Sequence, residues 1–147
     1  METKGLLVWK KLYSEEGILV YEGYTLNNKA CGEGIVYYPN GKVYQEGVFD
    51  IKGLVDGKEY YQNGKLRFKG EYRINRGYGP NYPLRGTCYD RNGNPVDGGV
   101  RVDRTGAGYP VIRWPKGCDP IPKGKRPSFP LLMWEDKQII NGAINAE

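Results

Sequence analysis

Tyrosine interleaved with lysine and arginine is the pattern in this chain that could do chemistry, and that chemistry is molecular contact. Thirteen of the 147 residues are Tyr, beside 22 Lys and Arg, 17 Asp and Glu, and no His. Without His there is no Ser-His-Asp or Cys-His nucleophile pair, no His-based metal site and no ordinary general base near neutral pH. An enzyme would have to work with carboxylates, Tyr or Lys. The adjacent acids Glu15-Glu16 and Glu135-Asp136 fall at expected turns, whereas a glycosidase pair must converge across a cleft. Gly77-Tyr-Gly79 and Gly106-Ala-Gly108 lack the strand-to-helix context and the Lys-Ser/Thr partner of a phosphate-cradling loop. Cys31, Cys88 and Cys118 are odd in number, far apart and without CxxC spacing. They read as three reduced thiols, with neither a disulfide framework nor a zinc site. No catalytic residue, cofactor or metal is expected.

The elements that position the tyrosines are glycine-punctuated hairpins. The clearest unit is Gly57-Lys-Glu-Tyr-Tyr-Gln-Asn-Gly64-Lys-Leu-Arg-Phe-Lys-Gly70. Asn63-Gly64 suits a two-residue type I′ turn, where both positions need positive φ. That turn predicts Tyr61 opposite Leu66, Tyr60 opposite Arg67, Glu59 opposite Phe68 and Gly57 opposite Gly70. Facing glycines would leave a gap that a neighbouring backbone or side chain can enter.

The unit recurs. Gly34 to Gly41 and Gly86 to Gly93 match Gly57 to Gly64, and a further glycine follows each turn glycine by six, at Gly47, Gly70 and Gly99. Gly17 and Gly23 supply the same second half at the N-terminus. Pro110 to Gly117 is a fainter copy, and Leu132 to Asp136 followed by Gly142 is a last, degenerate one. The turn glycines 17, 41, 64, 93 and 117 are spaced by 24, 23, 29 and 24 residues, so the 29 marks an insertion.

Alternation predicts two faces. Val36, Tyr38, Val43, Tyr61, Leu66 and Phe68 are expected on an inner, core-forming face. Tyr37, Tyr44, Lys58, Tyr60, Arg67 and Lys69 are expected on an outer face. Tyrosines among basic residues make that outer face a candidate contact surface, because Tyr offers apolar area plus a hydroxyl at low entropy cost. Cross-strand pairing that merely stabilises the sheet would give the same pattern. The insertion, Ile74 to Pro83, cannot continue a strand; its Tyr78 and Tyr82 are candidate loop contacts. Six of the ten prolines lie between Pro110 and Pro130, beside a basic excess that includes Lys123, Lys125 and Arg126. That segment reads as an irregular wrap on the sheet or as a basic arm for an acidic partner. Residues 131–134 and 138–144 are expected to close the sheet as a hairpin.

Tyr21-Glu-Gly23, Gly32-Glu-Gly34, Tyr38-Pro-Asn-Gly-Lys42, Tyr61-Gln-Asn-Gly-Lys65 and Phe68-Lys-Gly-Glu-Tyr72 resemble MORN repeats (membrane occupation and recognition nexus). Among bacterial proteins the units are most similar to the YwqK-type antitoxin group. The resemblance extends over about residues 17–99 and weakens from 100 to 147. It implies a non-enzymatic binding module, and an antitoxin or immunity protein that occludes a toxin.

The reading is therefore all-β: an elongated array of antiparallel β-hairpin repeats with a Pro-rich irregular C-terminal segment and a closing hairpin. Residues 1–147 form one domain, with clear repeats over 1–99. The expected partner is another protein. The alternatives are a scaffold or anionic-lipid-surface module and a nucleic-acid binder, both prompted by the net charge of +5. Against nucleic acid, residues 1–99 carry 14 basic and 12 acidic side chains, a near balance. The N-terminus has a short apolar run followed by charge, unlike a signal peptide, so a cytoplasmic location is expected.

Overall fold

A row of glycines runs straight across the sheet of this protein. The computed structural model describes residues 6–77, 80–104, 110–122 and 127. Its strands are β1 (Val8–Tyr13), β2 (Leu19–Leu26), β3 (Lys29–Tyr37), β4 (Val43–Asp50), β5 (Gly53–Tyr60), β6 (Leu66–Arg73), β7 (Tyr82–Tyr89) and β8 (Pro95–Val96). They form one antiparallel sheet in chain order, β1 to β8, so each strand pairs with the next. β9 (Arg101–Arg104) and β10 (Pro110–Arg113) form a separate two-stranded sheet. Among the described residues there is no helix. The expected all-β hairpin array is what the chain builds.

The glycine row is Gly23, Gly34, Gly47, Gly57, Gly70 and Gly86, each directly opposite the next from β2 to β7. The gap expected beside Gly57 and Gly70 is filled by backbone. A Cβ on Gly57 would lie 2.1 Å from the Glu46 carbonyl oxygen, and one on Gly70 would lie 2.1 Å from that of Arg85. Aromatic rings use the same space: a Cβ on Gly34 would strike the Tyr21 ring, and one on Gly86 would lie 2.8 Å from Phe68.

The turns differ from expectation in one respect with wide consequences. In the hairpin at Tyr61–Gly64, the Gly64 amide donates to the Tyr61 carbonyl and the Tyr61 amide donates to that of Lys65. Only Gly64 has positive φ, at 91°, and Asn63 does not. This is a three-residue hairpin loop ending in a left-handed glycine, not the two-residue type I′ turn. Ser14–Gly17, Tyr38–Gly41 and Asp90–Gly93 repeat its hydrogen bonds. Asn40 and Asn63 act through their side chains, each accepting from the amide of the lysine two residues on. Among the described residues, the one turn with two successive non-glycine residues at positive φ is Asn27-Asn28, at 55° and 65°, joining β2 to β3.

The extra turn residue is absorbed by a bulge. Glu59 pairs with Phe68 but Tyr60 pairs with Leu66, which leaves Arg67 unpaired. Tyr44 and Val20 are the equivalent bulged residues of β4 and β2. A bulge turns two successive side chains toward one face. All three bulged residues are accordingly buried, although simple alternation places Tyr44 and Arg67 outside.

The core lies on the face that carries the glycine row. Leu12, Tyr21, Val36, Tyr38, Phe49, Leu54, Phe68, Tyr72 and Cys88 line it, joined by Cys118 and Ile121 from the chain after β10. Val43 and Leu66, expected inside, are only half-buried and sit on the opposite face across from Tyr37 and Tyr60. Adjacent repeats are tied at their turns. The Tyr38 hydroxyl donates to the Tyr60 carbonyl and the Tyr61 hydroxyl to that of Tyr89, each at 2.6 Å. The expected closing hairpin over residues 131–144 lies outside the described residues.

Gly57→Ala places a methyl group against backbone on the neighbouring strand and is expected to cost about 3 kcal/mol or more. Gly41→Ala meets open space and bears only the left-handed backbone cost, about 1 kcal/mol. Urea midpoints of the two variants measure the difference.

Candidate functional site

Two residues on, the position Tyr60 occupies beside its turn becomes the key to the exposed face. With Gly57 facing inward, Lys58 and Tyr60 face outward. Tyr13, Tyr37, Tyr60 and Tyr89 all stand four residues before a turn glycine, and all are half-buried on the outer face. One therefore projects from each hairpin, at about 10 Å intervals set by two strand spacings. Tyr13 and Tyr89 escaped the sequence reading. The constant offset from Gly17 and Gly93 is the signal that would have found them.

Polar neighbours orient these rings. The Tyr37 hydroxyl donates to Glu22 at 3.2 Å, and that of Tyr60 donates to Glu46. One cross-strand row reads Lys11, Glu22, Ile35, Glu46, Lys58, Lys69, Thr87. On the other side of the glycines, Glu33, Val48, Asp56, Glu71 and Arg85 form a second row. The face is thus tyrosine among charges of both signs, not tyrosine among bases. At its β1 end, Trp9 and Tyr24 pack edge to face with centroids 5.1 Å apart, and both remain exposed.

The candidate residues therefore divide. Tyr37, Lys58, Tyr60 and Lys69 lie together on the outer face. Tyr44 and Arg67 do not, because the bulges turn them inward. Tyr82 is buried at 6% exposure in β7, so it belongs to the sheet and not to a contact loop. Around it Asn75 and Asn81 of the insertion are pinned down. Asn81 donates to Asp50 and to the Leu54 carbonyl, and the Asn75 amide donates to the Asn81 side chain. Tyr78, Lys123, Lys125 and Arg126 lie outside the described residues.

Arg67 has become the centre of a buried polar node on the inner face. Its Nη1 lies 2.8 Å from Glu59 Oε2, and both side chains are about 95% buried. Glu59 also accepts from Gln45 at 2.8 Å and from the Tyr72 hydroxyl at 3.1 Å. Arg67 Nε donates to the Asp119 carbonyl, and its guanidinium lies 3.8 Å from the centroid of the Trp114 ring. The Tyr61 hydroxyl accepts from the Asp119 amide. The node thereby fastens residues 114–119 onto the repeats. Burial raises the phenol pKa of Tyr21, Tyr60, Tyr61 and Tyr72 above 10.0, with Glu46 adding to the effect at Tyr60 and Glu59 at Tyr72.

With this geometry in view, residues 30–50 and 56–73 match the family model of the MORN repeat variant. These two segments are similar to MORN repeats. The matched segments correspond to β3–β4 and to β5–β6, two of the hairpin units built around the glycine row. MORN repeats are modules of protein and lipid interaction. Searches of curated proteins and of solved structures returned no match. Among the described residues no group of three or more acidic or Cys side chains is placed to hold a metal ion.

Two outcomes follow for the node. Arg67→Ala strands the buried Glu59 carboxylate and is expected to cost about 3–5 kcal/mol, whereas Arg67→Met with Glu59→Leu recovers most of that loss; denaturant melts of the single and double variants check it. The raised phenols set the alkaline limit. Unfolded tyrosines ionise near pH 10.0 and the buried ones later, so their contribution to stability is complete below pH 10 and is lost as pH rises further. Tyrosinate absorbance from these residues should then appear together with loss of near-UV circular dichroism.

Proposed function

We propose that this chain is a non-enzymatic protein-binding module whose contact surface is the outer face of the sheet. The observation that carries the reading is the regular comb of Tyr13, Tyr37, Tyr60 and Tyr89, one per hairpin, each half-exposed. Tyr side chains held in place by Glu22 and Glu46 present apolar area with little entropy left to lose on binding. The interspersed carboxylates Glu22, Glu33, Glu46, Asp56 and Glu71 favour a polypeptide of mixed charge over a polyanion. Phosphate of nucleic acid or of an anionic bilayer would find no continuous basic track on this face, because carboxylates alternate with the lysines.

The finer reading is that the partner is a toxin and that the chain is a cytoplasmic antitoxin or immunity protein. It rests on the similarity of the Tyr61-Gln-Asn-Gly-Lys65 type units to the YwqK-type group. The mechanism would be occlusion: a broad, hydrogen-bonded face covers the partner's active surface without chemistry of its own.

The test is capture of partners by the tagged full chain from nuclease-treated lysate of the source organism, at low and at moderate salt. One stoichiometric protein retained at moderate salt is the expected result. Tyr60→Ala and Lys58→Glu with Lys69→Glu should each reduce its recovery about tenfold or more, with unchanged melting. Recovery of the bait alone would end the protein-partner reading, and inhibition of the captured protein's activity decides the antitoxin reading.

A further inference from the structure

The three cysteines are scattered in sequence, but the fold brings two of them together. Cys88 stands on β7 opposite Phe68 and faces the core, with no exposed surface. Cys118 arrives from the irregular chain after β10 and is 5% exposed. Both belong to one buried cluster, and the Tyr61 hydroxyl beside Cys118 donates to the carbonyl of Tyr89, the residue that follows Cys88. Both are free thiols in the structure. Cys118 Sγ also lies 3.7 Å from the Tyr61 hydroxyl and 3.8 Å from the Arg67 carbonyl, so it is seated in the node and not loose beside it. Cys31 stands in β3, in another part of the sheet.

The geometry points to Cys88 and Cys118 as a redox-active dithiol that hydrogen peroxide converts to a disulfide, bonding the C-terminal segment to the repeat sheet. The two sulfurs play different parts. The proximity of Cys88, then of the Tyr61 hydroxyl and the Arg67 guanidinium, draws the Cys118 thiol below its ordinary pKa, and the same pairing pushes that of Cys88 up. Cys118, the sulfur with residual exposure, meets the oxidant first, and Cys88, fully covered, is the sulfur that resolves it. In the first step the Cys118 sulfur attacks one peroxide oxygen. The O–O bond breaks, hydroxide leaves, and Cys118 becomes a sulfenic acid. In the second step the Cys88 sulfur attacks Cys118 Sγ and the S–O bond breaks. The departing hydroxide takes the Cys88 proton and leaves as water. Two thiols lose two electrons, and one peroxide is reduced to two waters.

A small oxidant suits a sulfur with so little exposed surface. The consequence is mechanical. Residues 114–119 are held by the Arg67 and Tyr61 hydrogen bonds, by Trp114 and by the Arg91–Asp119 ion pair at 3.0 Å. A disulfide would make that attachment covalent across a loop from 88 to 118. The inference stands independently of which partner the outer face binds.

The experiment treats the purified, reduced full chain with hydrogen peroxide, then alkylates, denatures and maps the peptides. The expected product is a monomer that has lost two hydrogens, with Cys88 joined to Cys118 and Cys31 still alkylated. Its melting temperature should rise by about 5 °C or more and return on reduction. In Cys88→Ser, Cys118 should stop at the sulfenic acid and be trapped by dimedone. Oxidation confined to Cys31, a link found only between chains, or Cys88 and Cys118 both alkylated after peroxide would each overturn the proposal. The wild-type peptide map decides the matter even where the serine variant does not fold.

Discussion

Everything in this sheet hangs on the absence of a side chain at one position in six successive strands. Gly23, Gly34, Gly47, Gly57, Gly70 and Gly86 oppose one another in a line, and a Cβ at any of them would fall within 3 Å of a neighbouring atom. The closeness is what lets Tyr21 and Phe68 lay their rings across the row. It also makes every hairpin copy the register of the one before it. With register set by the glycines, outward positions stay in phase from β2 to β7. A comb of tyrosines on one face is the consequence.

The repeats share a backbone plan but not an interior. Val20, Tyr44 and Arg67 occupy the same bulged position. At the first two an apolar or aromatic side chain completes the core. At the third, a guanidinium is buried and needs Glu59, the Asp119 carbonyl and the Trp114 ring to offset its desolvation. That departure from the repeat is where the C-terminal segment docks. A buried charge tolerates few arrangements of its partners, so the node specifies how residues 114–119 lie on the sheet more sharply than apolar packing alone would. The two cysteines meet beside it because Cys118 belongs to that docked segment.

The two faces thus have separate duties. The inner face spends its tyrosines on structure: Tyr38 and Tyr61 donate from one turn to the backbone of the next, and Tyr72 satisfies Glu59. The outer face keeps its tyrosines half-exposed and tethers two of them to carboxylates. Residues of one type, often adjacent in the chain as at Tyr37-Tyr38 and Tyr60-Tyr61, are buried or half-exposed according to the side of the sheet on which they stand.

Much of this was legible in the sequence by itself. Glycine spacing determined the hairpin array, the facing of Gly57 and Gly70, and the outward direction of Tyr37, Lys58, Tyr60 and Lys69. These follow from chain-local rules, the period of a strand and the conformational needs of a turn. What the tertiary structure decided lay beyond such rules. Asn-Gly was compatible with more than one loop, and the loop adopted carries one more residue than a type I′ turn. The compensating bulge then reversed Tyr44 and Arg67, which alternation counted outward. The meeting of Arg67 with Glu59 and Trp114, and of Cys88 with Cys118, depended on where a proline-rich segment with no repeat period would settle. Local sequence carries no signal for that, because the partners are tens of residues apart and the contact exists only once the sheet has formed.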